Sequence, residues 1–327
     1  MSSAQGTHDM KTVGTASATP GERSVGYLPF GEAPTGESLS LPVTVINGAT
    51  AGETLYIQAL SDGDELNGVG VITQVAPQID PATLTGTVVI VGIVNHFGFQ
   101  ANEHRNPIDD TKINRTYPGD PEGSSSERIA AATYAHAKKA DYILDLHQGS
   151  TSRMINECRV RCGSGHQMHA ECLELAKVFD CGFVFDQKGP DGQLARAAPD
   201  DGIPTIDPEL GGSIGWDWDS IEIGVQGVRN VLTHYGFIEG SVSPQPQIRA
   251  KSFDQYRAST GGFIEFDAEL GDQVEAGDRL YRILSPFGES RVDVTAERGG
   301  IFWRTRRLPQ VTTGEYICSI GTTIDEY

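Results

Sequence analysis

Asp62 and Glu65 stand three residues apart, between an apolar run and a helical pattern. Side chains three apart on a helix share a face. At a helix start, the two carboxylates could therefore reach one point above the end of the preceding strand. A divalent cation suits such a pair of oxygens. The same residues carry a second reading: Ser61-x-x-Asp64 and Asp62-x-x-Glu65 both have the form of a capping box, which any helix can use. Asp145-Leu146-His147-Gln148-Gly149 bears on the choice, because it carries an ionisable pair from the run Tyr142 to Leu146 into a Gly turn. Ligands of open α/β sheets collect at the carboxyl ends of strands. Asp62, Glu65 and His147 would give three ligands and leave a coordination position for water, the pattern of a catalytic rather than a structural zinc.

Two further segments hold candidates. The stretch from Arg105 to Gly119 is polar and carries Arg105 and Arg115 in a chain with few cations. Arginine forks grip carboxylates in a bidentate way, or they pair with the acids of a surface loop. Glu209, in Asp207-Pro208-Glu209-Leu210-Gly211-Gly212, reads as a general base or as a turn residue. Cys158, Cys162, His166 and His169 could hold a zinc on paper, but their spacing fits no finger or ribbon well.

The elements that must position these residues are legible as alternating patterns. Short apolar runs at 39–46, 54–60, 87–94, 142–146, 182–185 and 203–206 read as strands, most of them buried on both faces. Helical patterns lie at 64–75, 124–140, 165–179 and 217–235, the second opening on Ser-x-x-Glu. Strands alternating with helices imply an α/β domain over 39–240 with a largely parallel or mixed sheet. Residues 1–38 read as a tail followed by irregular or edge-strand structure, and 241–250 as a Pro-rich linker. Residues 251–327 read as a small all-β module of two similar halves, like the barrel-sandwich of biotinyl and lipoyl carriers. Such a carrier needs a lysine at a hairpin tip. The only lysine beyond residue 240 is Lys251, at the very start of the module and not at a hairpin tip, so a structural role is expected. The module would sit over or beside the cleft and narrow it, or build an interface in a homo-oligomer.

Composition sets the outer bounds. With 25 Lys and Arg against 44 Asp and Glu, the net charge of −19 disfavours nucleic acid and anionic membranes as partners. The longest strongly apolar run, Val88 to Val94, is far short of a bilayer span, and no apolar segment near the start serves as a signal peptide. Five cysteines, an odd number with no paired framework, suit a reducing cytoplasm.

Taken in order, Asp62-Gly63-Asp64-Glu65-Leu66-Asn67-Gly68, Arg105-Asn106-Pro107, Asn114-Arg115-Thr116-Tyr117-Pro118-Gly119, Asp145-Leu146-His147-Gln148-Gly149 and Glu209-Leu210-Gly211-Gly212 resemble the motif series of the succinylglutamate desuccinylase and aspartoacylase family. The resemblance spans about residues 39–325 and implies a zinc-carboxypeptidase-like mixed sheet flanked by helices, with a C-terminal β module. It implies one divalent metal on Asp62, Glu65 and His147, Glu209 as general base and then acid, Arg105 polarising the carbonyl, and Asn114 with Arg115 gripping a substrate carboxylate. The substrate it implies is a small, acidic N-acylated amino acid. One departure stands out: the family has His where this chain has Asp62, a harder ligand that suits zinc less selectively and admits manganese. Two other outcomes follow from the same fold: a metallocarboxypeptidase for short peptides, or a non-catalytic binding protein in which Asp62 marks the loss of the metal.

Overall fold

The computed structural model describes residues 9–150, 152–212 and 215–327. Thirteen of its strands form one mixed sheet. At its centre Thr85–Val91, Thr50–Ala59, Tyr142–Leu146 and Thr205–Glu209 lie side by side and parallel. Ser38–Asn47 and then Glu22–Glu32 extend one side antiparallel. On the other side Glu157–Val160 pairs antiparallel with Thr205–Glu209, and Phe183–Asp186, Ile248–Arg257, Tyr316–Glu326 and Gly300–Arg306 follow.

The alternation of side chains explains the apolar runs. Leu55, Ile57, Val88, Ile90 and Leu144 face one layer, whereas Tyr56, Val89, Val91 and Ile143 face the other. Both layers are covered, so both parities must be apolar. The helices Asn67–Val75, His169–Phe179 and Trp218–His234 supply the first cover through Val71, Val75, Leu175, Ile221 and Val228. Ser125–Ala137 covers the second through Ile129, Ala130, Tyr134 and Ala137. Its Ser124-x-x-Glu127 start forms both bonds of a capping box.

The helix read from residue 64 begins at Asn67, and no side chain caps it. The capping-box reading of Asp62 and Glu65 is therefore corrected: the residues from Ser61 to Leu66 form a turned loop, and Asn67 N–H donates to Gln148 Oε1 at 2.9 Å. That leaves the two carboxylates free for other work.

Beyond the large sheet, Ser290–Thr295, Arg279–Leu284, Gly262–Phe266 and Gln310–Val311 form a four-stranded antiparallel sheet over its own core of Ile264, Leu280, Ile283, Phe302 and Ile320. Residues 241–247 carry no helix or strand. Among the described residues, no helix is long and apolar enough to cross a membrane.

Candidate metal centre

The carboxyl ends of three parallel strands converge on one point. Thr50–Ala59 runs into Leu60, whose φ of +61° turns the chain sharply. Gly63 then packs so closely on the next loop that a Cβ would stand 2.3 Å from Gly98 C and 2.4 Å from Glu103 O. Only glycine lets the loop settle there, and Glu65 N–H closes a turn on Asp62 O at 3.2 Å. His147 follows Tyr142–Leu146 directly and is locked beside Glu209 by backbone bonds to Pro208 O (2.8 Å) and from Leu210 N–H (3.0 Å).

Asp62, Glu65 and His147 are all buried, and one ligand atom from each lies within 4.8 Å of the others. His147 Nδ1 stands 2.9 Å from Glu65 Oε2 and 3.9 Å from Asp62 Oδ2. The opposite nitrogen, Nε2, lies 3.1 Å from Asp145 Oδ2. Metal-binding histidines are held in this way, with a carboxylate behind the ring that fixes the tautomer and raises the basicity of the ligating nitrogen. Asp145 is in turn braced by Gln58, which donates Nε2–H to its Oδ1 at 2.9 Å and to Tyr117 Oη at 2.9 Å. This explains a glutamine inside the apolar run Thr54 to Leu60. The donor set of two carboxylates and one imidazole fits a divalent cation, and Asp62 Oδ1 is buried without a hydrogen bond. Replacing Gln58 with Leu is expected to weaken metal affinity by about 10–100-fold without changing the ligands; a competition titration against a fluorescent chelator measures it.

The acid density shapes protonation. Burial, and then the Asp62 charge, push the Glu65 carboxyl up to about 8. Burial disfavours the His147 cation, but Asp145 and Asp207 overcome it and raise that ring well above its ordinary value. Without metal, both groups therefore hold protons at neutral pH, and a cation must displace them. Metal affinity is expected to rise with pH up to about 8, about tenfold per unit as Glu65 gives up its proton to the cation. Titrations at pH 6, 7 and 8 read this directly; an affinity flat across that range contradicts it.

The ligands open onto a cavity of about 180 Å³. Glu209 lines it, with Oε1 paired to the Arg159 guanidinium and Oε2 buried without a hydrogen bond. Burial alone would raise the Glu209 carboxyl, but Arg159 and His147 outweigh it and hold the group below its usual value, hence ionised. Lys112, Arg115, Arg159 and Arg304 also line the cavity, so an acidic protein gathers four cations around it.

Of the remaining candidates from the sequence, Asn114 and Arg115 line the same cavity; Asn114 is buried against His147, with Nδ2 3.0 Å from His147 Nε2 and Oδ1 accepting from Leu194 N–H at 3.0 Å. Arg105 does not line the cavity: its half-exposed guanidinium donates to Asp110 O at 2.7 Å. This placement departs from the carbonyl-polarising role implied by resemblance. The paper zinc cluster is not assembled either. Cys158 Sγ faces Cys181 Sγ at 3.4 Å, while His166 and His169 bond to Asp200 and Asp186. Arg159 and Arg304 were the residues missed. Arg159 belongs to a short strand, Glu157–Val160, whose antiparallel register sets it opposite Asp207. The visible signal was an arginine alternating with apolar residues in Glu157-Cys158-Arg159-Val160.

The family model for the succinylglutamate desuccinylase/aspartoacylase catalytic domain matches residues 51–235. That is more than half of the chain. The chain belongs to the succinylglutamate desuccinylase/aspartoacylase family. Within reach of this family member is the N-alpha-acetyl-L-2,4-diaminobutyric acid deacetylase of Halomonas elongata, 28% identical over 299 residues, which are 88% of this chain and 87% of the relative. A succinylglutamate desuccinylase structure from Silicibacter sp. TM1040 superposes with a TM-score of 0.83 at 25% identity, covering 93% and 95% of the two chains. The product-bound ectoine utilization protein EutE (DoeB) of Ruegeria pomeroyi gives the same score and identity over 92% and 95%. The large mixed sheet and its helical layers are thus the architecture of desuccinylase structures.

Proposed function

We propose that this family member is a metal-dependent deacylase, most simply a zinc enzyme, that cleaves the amide of a small N-acylated amino acid to a carboxylate and an amine. The observation that carries the reading is the meeting of Asp62, Glu65 and His147 beside an ionised Glu209 at the strand ends. When bound, a divalent cation supplies Lewis acidity toward the amide carbonyl and toward water. Glu209 Oε2, which has no other partner, takes the proton of the attacking water and returns it to the leaving nitrogen as the C–N bond breaks. Arg105 would have to release Asp110 O to reach the oxyanion, so we assign charge stabilisation to the cations already lining the cavity, Arg159 foremost. Arg115 and Arg304 are the carboxylate anchors; the buried Nε of Arg304 has no hydrogen bond. Asn114 serves by positioning His147.

We read 39–240 as the catalytic domain, with Glu22–Glu32 as its edge strand, and 251–327 as a barrel-sandwich-like module; the linker reading narrows from 241–250 to 241–247, because Ile248–Arg257 pairs with Phe183–Asp186 and so continues the large sheet into the module. Arg304 reaches the cavity from the Gly300–Arg306 strand, which supports a module that narrows the cleft toward small substrates. All five cysteines are free and buried, in keeping with a cytoplasmic protein.

Deacylation of N-acetyl-2,4-diaminobutyrate, N-succinylglutamate and N-acyl aspartates, with zinc or manganese added, tests the reading. Turnover of at least one, lost on chelation, is expected; inertness toward all of them with metal bound counts against it. Asp62→His is expected to raise the preference for zinc over manganese, because imidazole is softer than carboxylate; metal competition against the unsubstituted protein measures the ratio.

A further inference from the structure

Asp207 stands two residues before Glu209 on the strand Thr205–Glu209, so the two side chains leave the same face, and both line the cavity. The neighbouring strand sets Arg159 opposite Asp207 and Glu157 opposite Glu209. The Arg159 guanidinium leans along the strands, to Glu157 Oε1 at 2.7 Å and to Glu209 Oε1. Its direct partner is left unmatched. Asp207 is 1% exposed, its Oδ1 is buried without a hydrogen bond, and among the described residues its carboxylate forms no ion pair. Burial pushes that carboxyl up to about 6, against the pull of His147 and Arg159, so it still carries its charge in neutral solution. An opposite charge in the same cavity is also unmet. Arg304 lines it with a buried Nε that has no hydrogen bond, and among the described residues it forms no ion pair. Its guanidinium rests on the Tyr316 ring, with Cζ 5.9 Å from the centroid. A ring face holds a guanidinium through its π cloud and leaves N–H groups for a ligand.

A buried carboxylate without donors is costly unless a cation meets it. Asp207 and Arg304 do not serve each other, because they share one cavity and still stand unpaired, each on its own strand. Two unmet charges of opposite sign in one cavity describe a zwitterionic ligand. We infer that Asp207 is a specificity-determining residue, which takes the free ammonium of an N-acylated diamino acid whose carboxylate goes to Arg304. The inference rests on the deacylase reading and names the substrate class of that site. Asp207 lies outside the group of ligand atoms from Asp62, Glu65 and His147, so the cation that meets it comes with the substrate. A second carboxylate in place of the ammonium would face Asp207 and the ionised Glu209 together, and such like-charge contacts are disfavoured. A methyl group in that place would leave Asp207 without a partner.

The test compares three substrates of similar length on the metal-loaded full chain: N-acetyl-2,4-diaminobutyrate, N-acetylnorvaline, which has a methyl group in place of the ammonium, and N-acetylglutamate. The diaminobutyrate derivative should exceed the norvaline derivative in kcat/KM by at least about 100-fold, since the analogue leaves a buried polar group unpaired. Asp207→Asn, which keeps the side-chain shape, should bring that ratio close to unity. Arg304→Met should lower both efficiencies and preserve their ratio, because both substrates carry the same carboxylate. Calorimetric binding of 2,4-diaminobutyrate and norvaline reads the same preference without chemistry. Should Asp207→Asn fail to fold, the ratios in the unsubstituted protein decide. Turnover with equal efficiencies, a preference for N-acetylglutamate, or a ratio unchanged in Asp207→Asn overturns the role of Asp207 and leaves the deacylase reading intact. A preference in binding with no turnover of any substrate counts against the deacylase reading alone. Neither turnover nor a binding preference overturns both.

Discussion

Glu209→Gln is expected to lower kcat by about 10²–10⁴-fold while metal content stays unchanged. The amide keeps the shape of the side chain but cannot accept the proton of the attacking water. Glu209 Oε2 is the atom concerned: it is buried, lines the cavity and has no hydrogen bond. Arg159 remains beside the substituted side chain, so the cavity keeps its cation, and binding of a product carboxylate should change little. The combination of lost turnover with intact metal and product binding separates a base from a structural residue. A variant that keeps full rate removes Glu209 from the chemistry.

Arg159→Met should be the most destabilising single change at the site. Arg159 bonds Glu157 Oε1 at 2.7 Å, pairs with Glu209 Oε1 and is largely buried. Removing it leaves two buried carboxylates without their counter-charge, a loss of about 3–5 kcal/mol. Denaturant unfolding at neutral pH measures it. The sign of the pH dependence follows from Glu209, which Arg159 helps to hold below its ordinary value despite burial. A depressed carboxylate contributes stability that is present above its unfolded value and is lost as pH falls through the folded one. The deficit of Arg159→Met should therefore be largest at neutral pH and shrink in acid. A deficit below about 1 kcal/mol, the size of an exposed ion pair, would mean that water reaches this pair.

Much of this was legible in the sequence because the parallel centre of the sheet is built from local runs. Tyr142–Leu146 appears at the residues read for it, since a strand buried on both faces is apolar at both parities. The candidate metal group was legible too, because each member sits within a few residues of a strand end. What sequence could not supply was register across the sheet. Arg159 meets Glu209 through an antiparallel neighbour, and Arg304 arrives from a strand nearly a hundred residues further along. The backbone also decided between readings that composition left open. The left-handed Leu60 and the close-packed Gly63 turn Asp62 and Glu65 into the cavity and delay the helix to Asn67. The same packing brings His104 to the ligand loop, and no spacing rule links residue 104 to residue 62. Arg105, its neighbour in the chain, points away to Asp110 because a loop gives successive side chains no common face.

Metal removal and restoration bears most directly on the whole account. Protein stripped by chelator should bind no divalent ion and hydrolyse no N-acyl amino acid. Added zinc or manganese should restore both together, and His147→Ala should restore neither. Full deacylation by the stripped protein, or metal bound by His147→Ala as tightly as by the unsubstituted chain, would contradict a hydrolytic cation held between Asp62, Glu65 and His147.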